Sequence, residues 1–147
     1  IQDIAGNDAT DLSSTLVNNN STVPTTPVAD NTAPQLQSVE VNPAGQLVFH
    51  YNEALDGVNL PNASHFSITI NGQTVTPSSI SVTGNDVLLS FVPAIGIGQS
   101  VSYRYTDPSP NNDTSAIQDT AGNDAVSIPL TTLPGGDNHS NVDSTAP

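Results

Sequence analysis

Asp119-Thr120-Ala121-Gly122-Asn123 sets a carboxylate, a glycine and an amide within one short loop, the chemistry of a tight turn and also of a hard-cation site. Calcium collects about six to eight oxygens from carboxylates, amide and backbone carbonyls and water. Asp30, Glu53, Asp107 and Asp119 are candidate carboxylate ligands for Ca2+, and Asn31 and Asn123 candidate amide or backbone ligands. Gly122 supplies the backbone freedom such a loop needs. Turn chemistry alone also explains the five residues, with Asp119 closing an Asx turn and Glu53 merely solvated. What favours the cation is convergence of these residues on one end of the fold.

The overall charge points the same way. Fourteen acidic residues face a single basic one, Arg104, for a formal net charge of −13. Such a field repels nucleic acid and anionic membranes, so neither is an expected partner. The acids are mostly Asp set among Gly, Asn and Thr, where they offer oxygen ligands in turns. A divalent cation is an economical counter-charge for them, although an acidic surface also serves solubility by itself.

Catalysis is not expected. The chain has no Cys, and none of the GxSxG, HExxH or phosphate-cradling glycine motifs occurs. His50 and His65 fall on or beside predicted strands and His139 in a connector, none with a nucleophile or metal partner in view. Without cysteine there is no disulfide framework, and no apolar run approaches the length of a membrane span.

Self-similarity sets the boundaries of the elements that must position these residues. Ile1-Gln2-Asp3-Ile4-Ala5-Gly6-Asn7-Asp8-Ala9 returns as Ile117-Gln118-Asp119-Thr120-Ala121-Gly122-Asn123-Asp124-Ala125, identical at eight of nine positions and offset by 116 residues. Asp30-Asn31-Thr32-Ala33-Pro34 returns as Asp143-Ser144-Thr145-Ala146-Pro147, offset by 113. The chain therefore reads as a piece cut from a tandem array. Residues 1–17 are the remnant of a preceding repeat, 18–29 a linker, 30–133 one full repeat, and 134–147 a second linker with the start of the next repeat. The remnant is expected either to stay unstructured or to exchange strands with another copy.

Within the full repeat, alternating apolar runs fall between turn signals. The predicted strands are Leu36–Val41, Gln46–Tyr51 and His65–Ile70, then Gln73–Thr76 with Ser79–Thr83 as one leg, then Val87–Val92, Val101–Thr106 and Ala125–Thr132. Asn71-Gly72 is a two-residue hairpin signal, and Pro129 implies an edge or a bulge. Seven short strands over about 100 residues describe an all-β, Greek-key, immunoglobulin-like β-sandwich. If they alternate up and down, Asp30-Asn31, Asn52–Asp56, Gly84–Asp86 and the long connection Asp107–Asp124 share one pole. The opposite pole takes Asn42–Gly45, Asn71-Gly72 and Pro93–Gln99, which hold no acid.

Tyr51–Asp56, Tyr105-Thr106-Asp107-Pro108, Ile117–Ala125 and Asp30–Pro34 together resemble the tandem immunoglobulin-like repeats of giant bacterial surface proteins. These include the SWM-type repeats and the extender domains of RTX adhesins. Asp30–Pro34 is also similar to the calcium-rigidified linker between cadherin domains. The resemblance implies a structural spacer in a secreted cell-surface adhesin, exported by type I secretion, with calcium at junctions between adjacent repeats of the same chain. The competing reading is a ligand-binding module for glycan or protein. Against it, Phe49, Phe66, Phe91, Tyr51, Tyr103 and Tyr105 fit the alternation of a core better than that of a sugar-stacking surface.

Overall fold

Short runs of β-branched and aromatic residues leave each strand with one apolar face, which a second sheet must cover. The computed structural model describes residues 29–144. Its strands are β1 (Leu36–Val41), β2 (Leu47–Tyr51), β3 (Phe66–Ile70), β4 (Gln73–Val75), β5 (Ser79–Thr83), β6 (Asp86–Ser90), β7 (Val101–Tyr105) and β8 (Ile128–Thr132). They form two antiparallel four-stranded sheets, ordered β1-β2-β6-β5 and β4-β3-β7-β8. The segment 1–17 lies outside the described residues, and with it the expected strand exchange.

The strand count corrects the sequence reading: eight strands, not seven. The leg 73–83 breaks at Pro77, which has no N–H to give a ladder. Val75 pairs with Ile68 in one sheet, whereas Ser79 pairs with Ser90 in the other. β4 and β5 still run in the same sense, each antiparallel to its neighbour, so the break leaves the polarity of the later strands as expected. Pro129 sits on β8, an edge strand, where its missing N–H costs no pairing to a further strand.

The core is the space between the sheets. Leu47, Phe49 and Tyr51 of β2 face Ile68 of β3 and Val101, Tyr103 and Tyr105 of β7, all buried. Phe49 bridges the layers. Its ring centroid lies 5.9 Å from that of Phe66 and 5.4 Å from that of Tyr103, the latter edge-on. All six aromatic rings of the chain are buried in this core.

Candidate metal centre

The leading segment is clamped to the corner after β2. Gln35 N–H donates to Asn52 Oδ1 at 2.7 Å and Asn52 N–H to the Gln35 carbonyl at 3.0 Å. That clamp carries Asp30 toward Glu53. A second device brings Asp119. Leu55 and Asp119 form an antiparallel bridge, and Asp56 N–H donates to the Gln118 carbonyl at 2.8 Å. The connection after β7 is thus stitched to the corner after β2.

Residues 117–125 form a small hairpin. Ala125 N–H donates to the Ile117 carbonyl at 2.7 Å, and Asp119 N–H to the Asn123 carbonyl at 3.1 Å. Gly122 takes φ +88° in its turn, a conformation that suits glycine. Asp119 Oδ1 accepts from the Ala121 and Asn123 N–H groups at 2.8 and 2.9 Å, and its Oδ2 accepts from Asn123 Nδ2 at 2.8 Å. The residue is 2% exposed. Burial acts to raise its pKa, but the bonds from Asn123, Ala121 and Gly122 outweigh it and hold the carboxyl below its ordinary value.

Asp30, Glu53 and Asp119 each bring one carboxylate oxygen within 4.8 Å of the others. Oxygens on opposite sides of one calcium ion stand up to about 5 Å apart, so the spacing suits a shared ion. Partial desolvation and then the charges of Asp119 and Asp30 push the Glu53 carboxyl above its ordinary pKa. Asn123 Nδ2 donates to the Asp30 carbonyl at 3.2 Å as well as to Asp119, tying the two segments together. Asn31 is exposed and donates to the Ala29 carbonyl at 3.3 Å.

Asp107 belongs to a second cluster. Its carboxylate lies with those of Asp113 and Asp124, again with one oxygen of each within 4.8 Å of the others. Asp113 and Asp124 were not among the residues singled out from the sequence. The pleat of the 117–125 hairpin is the signal that finds them. Gln118 and Asp124 stand opposite in a bridge, so Asp124 faces away from the side that Asp119 and Asn123 share. One hairpin therefore serves two clusters.

The second cluster is unevenly satisfied. Asp113 accepts from Ser115 N–H at 3.0 Å and Ser115 Oγ at 2.8 Å, bonds that hold its pKa below the ordinary value. Asp113 N–H in turn donates to Asp124 Oδ2 at 2.8 Å. By contrast, Asp107 Oδ1 and Asp124 Oδ1 are buried and make no hydrogen bond among the described residues. Burial raises the pKa of both, and the neighbouring Asp charges add to it.

Among known proteins, the family described as the putative flagellar system-associated repeat, or SWM repeat, matches residues 29–110, more than half of the chain. The match takes in Asp30, Glu53 and Asp107 and stops short of Asp113, Asp119 and Asp124. Two solved structures are similar in shape. The N-terminal part of the bacterial S-layer protein SbsC aligns at 18% identity and TM-score 0.48, over 74% of this chain and 23% of that one. The S-layer protein rSbsC(31-844) aligns at the same identity and score, over 79% and 14%. The chain thus spans less than a quarter of either. No curated protein matches it. By the match over residues 29–110, the chain belongs to the SWM family of putative flagellar system-associated repeats.

Proposed function

We propose that this chain is a spacer repeat of an extracellular bacterial surface adhesin, and that calcium bound at its acidic pole stiffens it. One observation carries the reading. Two carboxylate triads share a single hairpin at one pole, and two of their oxygens, on Asp107 and Asp124, are buried without a hydrogen-bond partner among the described residues. A buried carboxylate oxygen without a donor is costly, and a cation shared with Asp113 relieves that cost at once. Asp30, Glu53 and Asp119 would hold a second ion beside the incoming chain. The net charge of −13 supports the same reading, because each bound ion removes two units of self-repulsion. The location at the cell surface and export by type I secretion rest on the resemblance to extender repeats. Isothermal titration of the chelator-treated chain with calcium is the direct test, and an absence of binding heat at millimolar calcium would falsify the metal part of the reading.

A further inference from the structure

The pole opposite the acids has its own architecture. Residues 134–144, which follow β8, are strapped across it. Asn138 bridges to Val41 in parallel, His139 N–H donates to the Val41 carbonyl at 2.8 Å, and Asn141 N–H to the Pro43 carbonyl at 3.0 Å. Asn138 Nδ2 donates to the carbonyls of Gly96 and Gln99 at 3.1 and 3.0 Å. The buried Ser140 hydroxyl donates to the Ile95 carbonyl at 2.7 Å. Ile97 N–H reaches the Val142 carbonyl at 2.9 Å. Gly96 has to be glycine, because a Cβ there would run into the Ser144 side chain. A segment with the composition of a flexible connector is thus pinned through residue 144.

The pinned segment ends inside the repeat signal. Asp143 and Ser144 stand where Asp30 and Asn31 stand in this repeat, and Asp30 is a member of the first carboxylate triad. In a tandem array, the next repeat's triad therefore begins one residue after Val142. No free linker separates the two bodies.

The exposed apolar side chains complete the picture. Val92 and Ile97, in the loop after β6 at the strapped pole, are 88% and 62% exposed. Val58 and Leu60, in the loop after β2 at the acidic pole, are 87% and 42% exposed. We infer that the strapped pole of each repeat is a seat for the acidic pole of the next copy in the same chain, with Val92 and Ile97 meeting that copy's Val58–Leu60 loop. This rests on the spacer reading. The strap over the seat carries Asp137 and Asp143, so what pairs the two ends is their exposed apolar side chains and not a contrast of charge. The contact is small, but tethering with no slack gives a high effective concentration, so a small contact suffices.

The test uses the full chain lengthened by one repeat, with a second copy of residues 30–147 joined after Val142. The chain has no cysteine, so Ser67→Cys in each copy places a spin label on an exposed strand position of both repeats. The expected result is one narrow label-to-label distance distribution, both in calcium and in chelator. Gly96→Val in the first copy should broaden it by expelling Ser144. A short Gly-Ser insertion after Val142, which leaves both repeats intact, should broaden it too. A broad distribution in the unmodified two-repeat chain overturns the seat. So does a narrow one that survives the insertion, or one that is narrow only in calcium. A narrow distribution in a chain that binds no calcium upholds the seat and sinks the calcium reading instead.

Discussion

Asp113 donates its backbone N–H to Asp124 Oδ2 at 2.8 Å, while the other oxygen of Asp124 is buried with no hydrogen-bond partner among the described residues. The bond fixes the orientation of a carboxylate whose second oxygen makes no hydrogen bond among the described residues. Calcium should therefore raise stability strongly. A ligand that binds only the folded state at a hundredfold excess over Kd adds about 2.7 kcal/mol. For a domain of this size that is about 10 °C in Tm. Thermal melts in calcium and in chelator measure it, and coincident melts would remove metal from the account. Magnesium should give a much smaller gain, since its tight octahedral shell fits flexible carboxylate loops poorly.

The metal-free protein should lose stability as pH rises from the ordinary carboxylate range toward neutrality. Asp107, Asp124 and Glu53 have folded pKa values above their ordinary ones, so the folded state holds protons that the unfolded chain has already released. Stability then falls with pH through that window. Asp113, Asp119 and Asp56 are shifted the other way, and their contribution is lost only as pH drops below the ordinary range. Melts across pH 4 to 7 in chelator should show a declining Tm, and saturating calcium should flatten or reverse the decline. A Tm in chelator that climbs steadily to neutrality would contradict it.

Neutral isosteres should separate ligands from turn formers. Asp107→Asn and Asp124→Asn each remove a charge that its acidic neighbours repel and that has one buried oxygen without a hydrogen bond among the described residues, so the metal-free Tm should hold or rise while the calcium-induced gain shrinks. Asp119→Asn should lower both. Its carboxylate accepts three bonds that close the 119–123 turn, and losing that charge should cost roughly 1–2 kcal/mol without any metal. Paired melts of the three variants, with and without calcium, decide the matter. Identical behaviour of all three would mean bulk charge, not coordination.

Much of the fold was legible because period-two alternation ties each apolar residue to the core face. Leu47, Phe49 and Tyr51 show this on β2, and Val87 and Leu89 on β6. The division of 73–83 was harder to see, since Pro77 shows that a ladder stops but not that the chain changes sheets. For the site, counting strand polarity was enough to bring Asp30, Glu53 and Asp119 to one pole. It could not separate Asp107 from them, because that depends on which face of the 117–125 hairpin each side chain takes, and the bridge between Gln118 and Asp124 sets this. The strap over the opposite pole left no sign in composition. Its Asn, Ser and Gly residues look like a connector, and only their bonds to the Pro93–Gln99 loop and to Val41 and Pro43 show otherwise.

Tyr105 joins the acid-bearing connection to the core. The side chain is fully buried, its ring packs 5.2 Å from that of Phe66, and its hydroxyl oxygen accepts the Ile117 N–H at 2.8 Å. Ile117 opens the hairpin that serves both carboxylate clusters. Tyr105→Phe keeps the ring and removes the acceptor, leaving a buried N–H unpaired at a cost of about 1–3 kcal/mol. The variant should melt several degrees lower in chelator, and hydrogen exchange at the Ile117 and Ala125 amides should quicken more than at β2 amides such as Phe49. Calcium affinity should fall as well, since the hairpin would be ordered partly at the expense of binding energy. If Tyr105→Phe instead lowers Tm with protection lost evenly across both sheets, Tyr105 is only a core residue and the hairpin is held by its own turn.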